Sequence, residues 1–182
     1  MQNKTNRKSS STEKRAITNS YAVIDSPIGK LMLVADEEWL VGLYFVDCPH
    51  VPAMSGNWKR DAQHALLRQA GEQLHEYFAG HRTRFTIPLR STGTDFQKSI
   101  WKQIEQIPYG QTLSYSELAT RAGASHAIRA AGTSTGRNPI SIIVPCHRVV
   151  GKNGGMCGFA GGLDRKALLL KLEGGHRMEL EP

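Results

Sequence analysis

Cysteine is scarce: three in 182 residues, none in a C-x-x-C pair. Cys48, Cys146 and Cys157 form an odd, widely spaced set, which argues against a disulfide framework and against a zinc ribbon. A reducing compartment, the cytoplasm, fits that usage. Long apolar runs are missing too. Nothing approaches the ~20 residues of a membrane span, so a soluble chain without membrane contact is expected. The N-terminus, MQNKTNRKSSSTEKR, lacks the apolar stretch of a signal peptide and the amphipathic face of a transit peptide. It reads as a disordered basic tail over residues 1–18.

Acid is also in deficit. Sixteen Asp and Glu face 23 Lys and Arg, for a net charge of +7. The excess is uneven: +4 in residues 1–15, −2 in 16–89 and +5 in 90–182. The tail and the second half are the regions suited to a polyanion. A solvated basic surface is the plainer explanation of the same numbers.

What is present divides into two units. YAVIDSPIG, KLMLVADE and WLVGLYFV are short β-branched or aromatic runs with turn residues between them, and Ser26-Pro27-Ile28-Gly29 has hairpin-turn chemistry. Residues 47–58 read as a loop. Leu66, Leu67, Ala70, Leu74, Tyr77 and Phe78 have helical spacing up to Gly80, and TRFTIPL follows as a strand. In the second unit Phe96, Ile100, Trp101, Ile104 and Ile107 share a helical face that Pro108-Tyr109-Gly110 stops. Ser114 to Glu117 is a capping box, so Ser114 begins a short helix ending near Gly123, and Ser125 is placed to cap the next, HAIRAAGTST. Two such helices suggest a helix-turn-helix. Ala127, Ala130, Ala131 and Gly132 suit either tight helix packing or close approach to a nucleic-acid groove, with Arg129 the long side chain among them. ISIIV reads as a strand delivering Pro145-Cys146, and Asp164 caps a last helix.

The segment IIVPCHRVVGKNGG joins an apolar run, a proline, a thiol and an imidazole. A thiol becomes a nucleophile when it ionises. Cys146 and His147 are adjacent, and neighbouring strand residues face opposite ways, so contact between them needs a turn at Pro145 or a water. Glu173 is the candidate to orient the imidazole. A buried, inert cysteine is the bland reading of the same segment.

VPCHRVV, preceded by NPISI and followed by GFAGGL and LLLKLEG, resembles the signature of the O6-alkylguanine-DNA alkyltransferases. The motifs run in order from about Asp95 to Gly174, and EYFAG in the first half is similar to the family's N-terminal domain. The resemblance implies an α/β (α+β) fold. An RNase H-like sheet-plus-helix domain spans residues 19–90, and a mostly helical, winged-helix-like domain with a helix-turn-helix spans 91–176.

It also implies roles. Cys146 is the alkyl acceptor, His147 takes its proton through a water, Glu173 orients His147, and Asn138 braces the turn carrying Cys146. Tyr115 hydrogen-bonds the flipped base at its N3 atom, and Arg129 is the wedge that fills the vacated stack. Tyr115, Ser116, Ala124, Arg129 and Lys152 meet DNA. Val149, Gly158, Phe159, Ala160 and Gly161 form the base pocket, with the Cys146 and Val149 carbonyls accepting from the guanine amino group. The partner is double-stranded DNA with alkylated bases, approached from the minor groove with little sequence preference, by a monomer without cofactor. A cytoplasmic place, at the nucleoid if bacterial, goes with that partner.

Some positions depart from the family's pattern. Ala160 stands where some members carry a hydroxyl, Phe159 where tyrosine is frequent, and Thr133-Ser134-Thr135 is unusually polar. Cys157 reads as a small structural residue. Cys48 and His50 alone are a poor ligand set, so no metal is expected; His64, His75, His81, His126 and His176 read as surface or structural. Two other functions use the same residues. A non-catalytic sensor of alkylated DNA lacks the acceptor thiol, and a cysteine hydrolase needs an oxyanion hole and turns over repeatedly.

Overall fold

The computed structural model describes residues 18–49, 51, 52 and 58–174. All but one residue of the proposed basic tail, together with His50 and His176, lie outside them. Three antiparallel strands open the chain: β1 (Asn19–Ile24), β2 (Leu31–Ala35) and β3 (Leu40–Phe45). The expected turn joins β1 to β2, with Gly29 N–H donating to Ser26 O at 3.1 Å. A fourth strand, β4 (Trp58–Arg60), pairs parallel to β1, giving the order β3-β2-β1-β4. The sequence reading assigned Trp58 to a loop; at three residues β4 is too short to show alternation. Helix α1 (Ala65–Phe78) lays Leu67, Ala70, Leu74 and Tyr77 into the core beside β2.

The strand expected at TRFTIPL does not form. Leu89 makes one isolated bridge to Leu40, and Pro88 has no N–H to offer a ladder. The Gln73 side chain satisfies the segment instead, accepting from Thr86 N–H at 2.8 Å and donating to Thr86 Oγ1 at 2.8 Å.

The second unit packs α2 (Asp95–Glu105), α3 (Tyr115–Arg121) and α4 (Ile128–Gly136) together, with a two-stranded parallel pair of β5 (Leu113–Ser114) and β6 (Val149–Val150) and a last helix α5 (Leu163–Leu172). The capping box at Ser114 and Glu117 is present. Ser125 does not cap α4, because a turn through Ala124 and Ala127 intervenes and Ala127 occupies the cap without a side-chain bond. Asp164 lies inside the first turn of α5, beside the positive helix end, while Gly162 holds the cap. The polar Thr133-Ser134-Thr135 run fits the helix because each hydroxyl bonds a carbonyl four residues back, at 3.1, 2.8 and 2.8 Å.

ISIIV is not a strand. It is a buried tight turn docked on β3, with Ile142 at φ 71° and Val144 N–H donating to Ile140 O at 3.0 Å. A run of apolar residues marks burial, and burial alone does not separate a strand from a turn. Asn138 decides the matter. Its Oδ1 accepts from Ile140 N–H at 3.0 Å and its Nδ2 donates to Val144 O at 2.8 Å, replacing the bonds a neighbouring strand would give.

Candidate active site

The turn ends in a single 3-10 turn, Cys146–Arg148, which sets the thiol at its start. Cys146 is 2% exposed. Its Sγ lies 3.1 Å from Asn138 Nδ2, so the residue that shapes the turn also touches the sulfur. Burial pushes the thiol's pKa up, while the Asn138 hydrogen bond and the Lys166 charge pull the other way.

His147 is wholly buried, and its Nε2 lies 2.8 Å from Glu173 Oε1. A carboxylate accepts only, so the imidazole presents Nε2–H to Glu173 and leaves Nδ1 as the free base. Nδ1 is buried and has no hydrogen-bond partner among the described residues. Burial holds the His147 pKa below its ordinary value despite Glu173. Glu173 itself is caged. Tyr77 Oη donates to it at 2.6 Å, Arg148 Nε and Nη2 at 2.8 and 2.9 Å, and Gly110 N–H at 3.3 Å. Burial would raise the Glu173 pKa, but the bonds from His147 and Arg148 outweigh it and hold it at about 2. Gly110 is required at its position: a Cβ there would stand 2.9 Å from the Glu173 carbonyl oxygen.

The Tyr115 ring lies against Gly132 of α4, where an added Cβ would sit 3.7 Å away. The Tyr115 hydroxyl donates to the carbonyls of Cys157 and Gly158, at 3.1 and 3.2 Å. It thereby ties the start of the glycine-rich loop to α3. Phe159 in that loop meets His147 edge-on, centroids 6.4 Å apart. A cavity of about 250 Å³ lies beside Asn138 and Ala160, and Ser141, Tyr44, Phe45 and Cys48 also line it.

The structure thus joins Asn138, Cys146, His147, Glu173 and Phe159 in one connected group. Tyr115 reaches the start of the Phe159 loop, Val149 is tied to that loop through Lys166, and Ala160 lines the cavity beside Asn138, which neither Cys146 nor His147 lines. Arg129 and Lys152 are exposed, Ser116 is half-buried on α3, and Ala124 sits in the turn between α3 and α4. On helix α4 Ala131 packs inward and Arg129 faces out. Cys157 is exposed; its thiol donates to Gly155 O at 3.8 Å and its carbonyl accepts from Tyr115 and Lys166.

Three residues escaped the sequence reading. Arg148 pairs with Glu173 and donates to Ile107 O at 2.6 Å. Tyr77 was read as core. Lys166 is 0% exposed and donates to Val149 O at 2.6 Å and Cys157 O at 2.7 Å. A lysine inside the apolar spacing of α5 was the available signal, since a buried ammonium demands partners. Among the described residues no group of three or more His, Cys, Asp or Glu is placed to hold a metal, and no helix is long and apolar enough to cross a membrane.

Two family models cover this arrangement. Residues 19–91 match the ribonuclease-like domain of 6-O-methylguanine DNA methyltransferase, and residues 95–175 match its DNA-binding domain. The chain belongs to the 6-O-methylguanine DNA methyltransferase family. Among its relatives in that family is the methylated-DNA–protein-cysteine methyltransferase of Methanosarcina acetivorans, 46% identical over 85% of this chain and 97% of the relative. That of Mycolicibacterium paratuberculosis is 46% identical over 86% and 93%. The crystal structure of Mycobacterium tuberculosis OGT in complex with DNA superposes with a TM-score of 0.80 at 44% identity, covering 85% of this chain and 92% of that one. The expected fold is the methyltransferase family's fold: a ribonuclease-like sheet domain followed by a helical DNA-binding domain.

Proposed function

We propose that this protein repairs O6-alkylated guanine in DNA by moving the alkyl carbon irreversibly onto Cys146. The observation that carries the reading is the buried chain Asn138–Cys146, His147–Glu173, with His147 Nδ1 left free as a base. The Cys146 thiol gives its proton to His147 Nδ1 through a water. The thiolate attacks the sp³ carbon on O6, the C–O bond breaks, and the purine leaves as an anion that a donor at N3 stabilises. Tyr115 supplies that donor, exchanging its bonds to Cys157 and Gly158 for the base. Arg148 keeps Glu173 ionised, so Glu173 orients the imidazole and does not itself take the proton. Sulfur is the nucleophile and guanine the leaving group, so the reaction calls for no cofactor. The product is a thioether with no carbonyl for water to attack, and each molecule acts once.

The target lies inside the duplex, so the base must leave the stack, at a cost of about a few kcal/mol. Exposed Arg129 on α4 fills the gap, and Ser116, Ala124 and Lys152 seat the backbone from the minor-groove side. Phosphates supply the affinity, so binding weakens with salt and shows little sequence preference. The loop of Gly158, Phe159, Ala160 and Gly161 opposes Val149 across the base. The protein acts as a monomer in the cytoplasm, and O4-methylthymine is a candidate second substrate.

Incubation with duplex DNA carrying O6-methylguanine, followed by intact-mass analysis and peptide mapping, tests the reading. A single methyl on the Cys146 peptide is expected. Repeated turnover, or no transfer, would refute it.

A further inference from the structure

The pocket loop holds three glycines in the five positions from Gly158 to Gly162, and it lies between β6 and α5 without regular structure of its own. Such a segment has little intrinsic rigidity. At its start Tyr115 and Lys166 hold the Cys157 and Gly158 carbonyls. On the reading above, Tyr115 lets go when it turns to the base, so an anchor at the far end has to keep the loop in place.

That anchor is a guanidinium. Arg165, in the first turn of α5, has 19% of its side chain exposed. Nη1 donates to Gly161 O at 3.1 Å. Three further bonds go to the N-terminal domain: Nε to Ile28 O at 2.7 Å, Nη2 to Asp47 Oδ2 at 2.7 Å, and Nη1 to Cys48 Sγ at 3.5 Å. The guanidinium carbon stands 4.8 Å from the Phe45 ring centroid. Phe45 in turn meets Phe159 edge-on at 5.8 Å, and Gly161 fits between them: a Cβ there would lie 2.6 Å from the Phe45 ring and 2.7 Å from Phe159.

Asp47 is largely exposed, so the ion pair by itself contributes little. The geometry matters more. A planar fork with fixed N–H directions bonds two chain segments of one domain and the loop of the other at once.

We propose that Arg165 is a positioning residue for the alkyl transfer, through which the N-terminal domain holds the Gly158–Gly162 loop against the base. The inference rests on the alkyltransferase reading and gives the N-terminal sheet a part in a reaction whose nucleophile it does not carry.

The test uses the full chain, unaltered and as Arg165→Met, which keeps length and removes the donors. Arg165→Lys, which keeps charge without the fork, is the milder second variant. Two rates are read on the Cys146 peptide: alkylation by free O6-benzylguanine over a range of concentrations, and labelling by iodoacetamide, which needs no base pocket. Arg165→Met should raise the half-saturating concentration of O6-benzylguanine about tenfold, as expected for a displaced binding surface, while iodoacetamide labels as fast or faster. Arg165→Lys should lie between. Unchanged behaviour towards both reagents, or equal loss of both reactions in both variants, overturns the positioning role. Absence of transfer from O6-methylguanine DNA to the unaltered chain is a different result, and it overturns the alkyltransferase reading itself.

Discussion

The hydroxyl of Tyr77, on the helix of the N-terminal domain, donates a 2.6 Å hydrogen bond to Glu173, which stands 96 positions later at the end of the last helix. Burial, and then the Glu173 charge, push the Tyr77 phenol pKa far above its ordinary value, so it stays a donor at every working pH. The carboxylate bonded to the His147 imidazole is therefore held by both domains.

Tyr77→Phe removes that bond and leaves the ring's packing. Loss of a buried bond to a charged acceptor should cost about 1.5–3 kcal/mol of stability. Urea unfolding checks the cost, and single-turnover methyl transfer should slow because Glu173 has one fewer restraint. Unchanged stability and rate would show that Arg148 and Gly110 suffice.

Acid should unfold the protein in two stages. The Glu173 pKa is held at about 2 in the fold against an ordinary 4.5, so the unfolded chain binds its proton first as pH falls. Its stabilisation is present above pH 4.5 and is lost as pH drops from there towards 2. Buried His147 also titrates below its ordinary 6.5, so stability begins to decline below that pH. The sign is the same for both groups. Denaturant titrations across pH should show both limbs, with Glu173→Gln flattening the lower one. Methyl transfer should not halve at pH 6.5, because folded His147 remains a neutral base there.

Lys166 sits wholly buried between Val149 O and Cys157 O, close enough to Cys146 for its charge to favour the thiolate. Lys166→Met should move the pH midpoint of Cys146 alkylation by iodoacetamide upward and slow methyl transfer at neutral pH. A midpoint that does not move would reduce Lys166 to a strap between two carbonyls.

Arg129→Ala should slow repair in duplex DNA by about 10- to 100-fold, the range of a few kcal/mol of unstacking left uncompensated. Reaction with free O6-benzylguanine, which needs no wedge, should be nearly unaffected. Equal losses on both substrates would remove Arg129 from that role.

Local chemistry made much of this legible. The capping box at Ser114 and Glu117, the apolar face of Ile100, Trp101 and Ile104, and the turn at Ser26 to Gly29 depend on neighbours a few residues apart, and each is found where its spacing put it. The family was legible through the motif that flanks Cys146. The errors cluster where a side chain takes over backbone bonding. Gln73 replaces a ladder at Thr86, and Asn138 turns ISIIV back on itself.

The amino-acid sequence by itself determined which residues are chemically able to act: one thiol beside an imidazole, a carboxylate after the last helix, a phenol at a helix start. Tertiary structure alone decided which of them meet. Tyr77, Arg148 and Lys166 look like ordinary helix or loop residues along the chain, and become parts of the site because folding buries their polar ends beside groups that need them. A buried polar group must find a partner, and that partner is chosen by distance in space, which sequence spacing does not report.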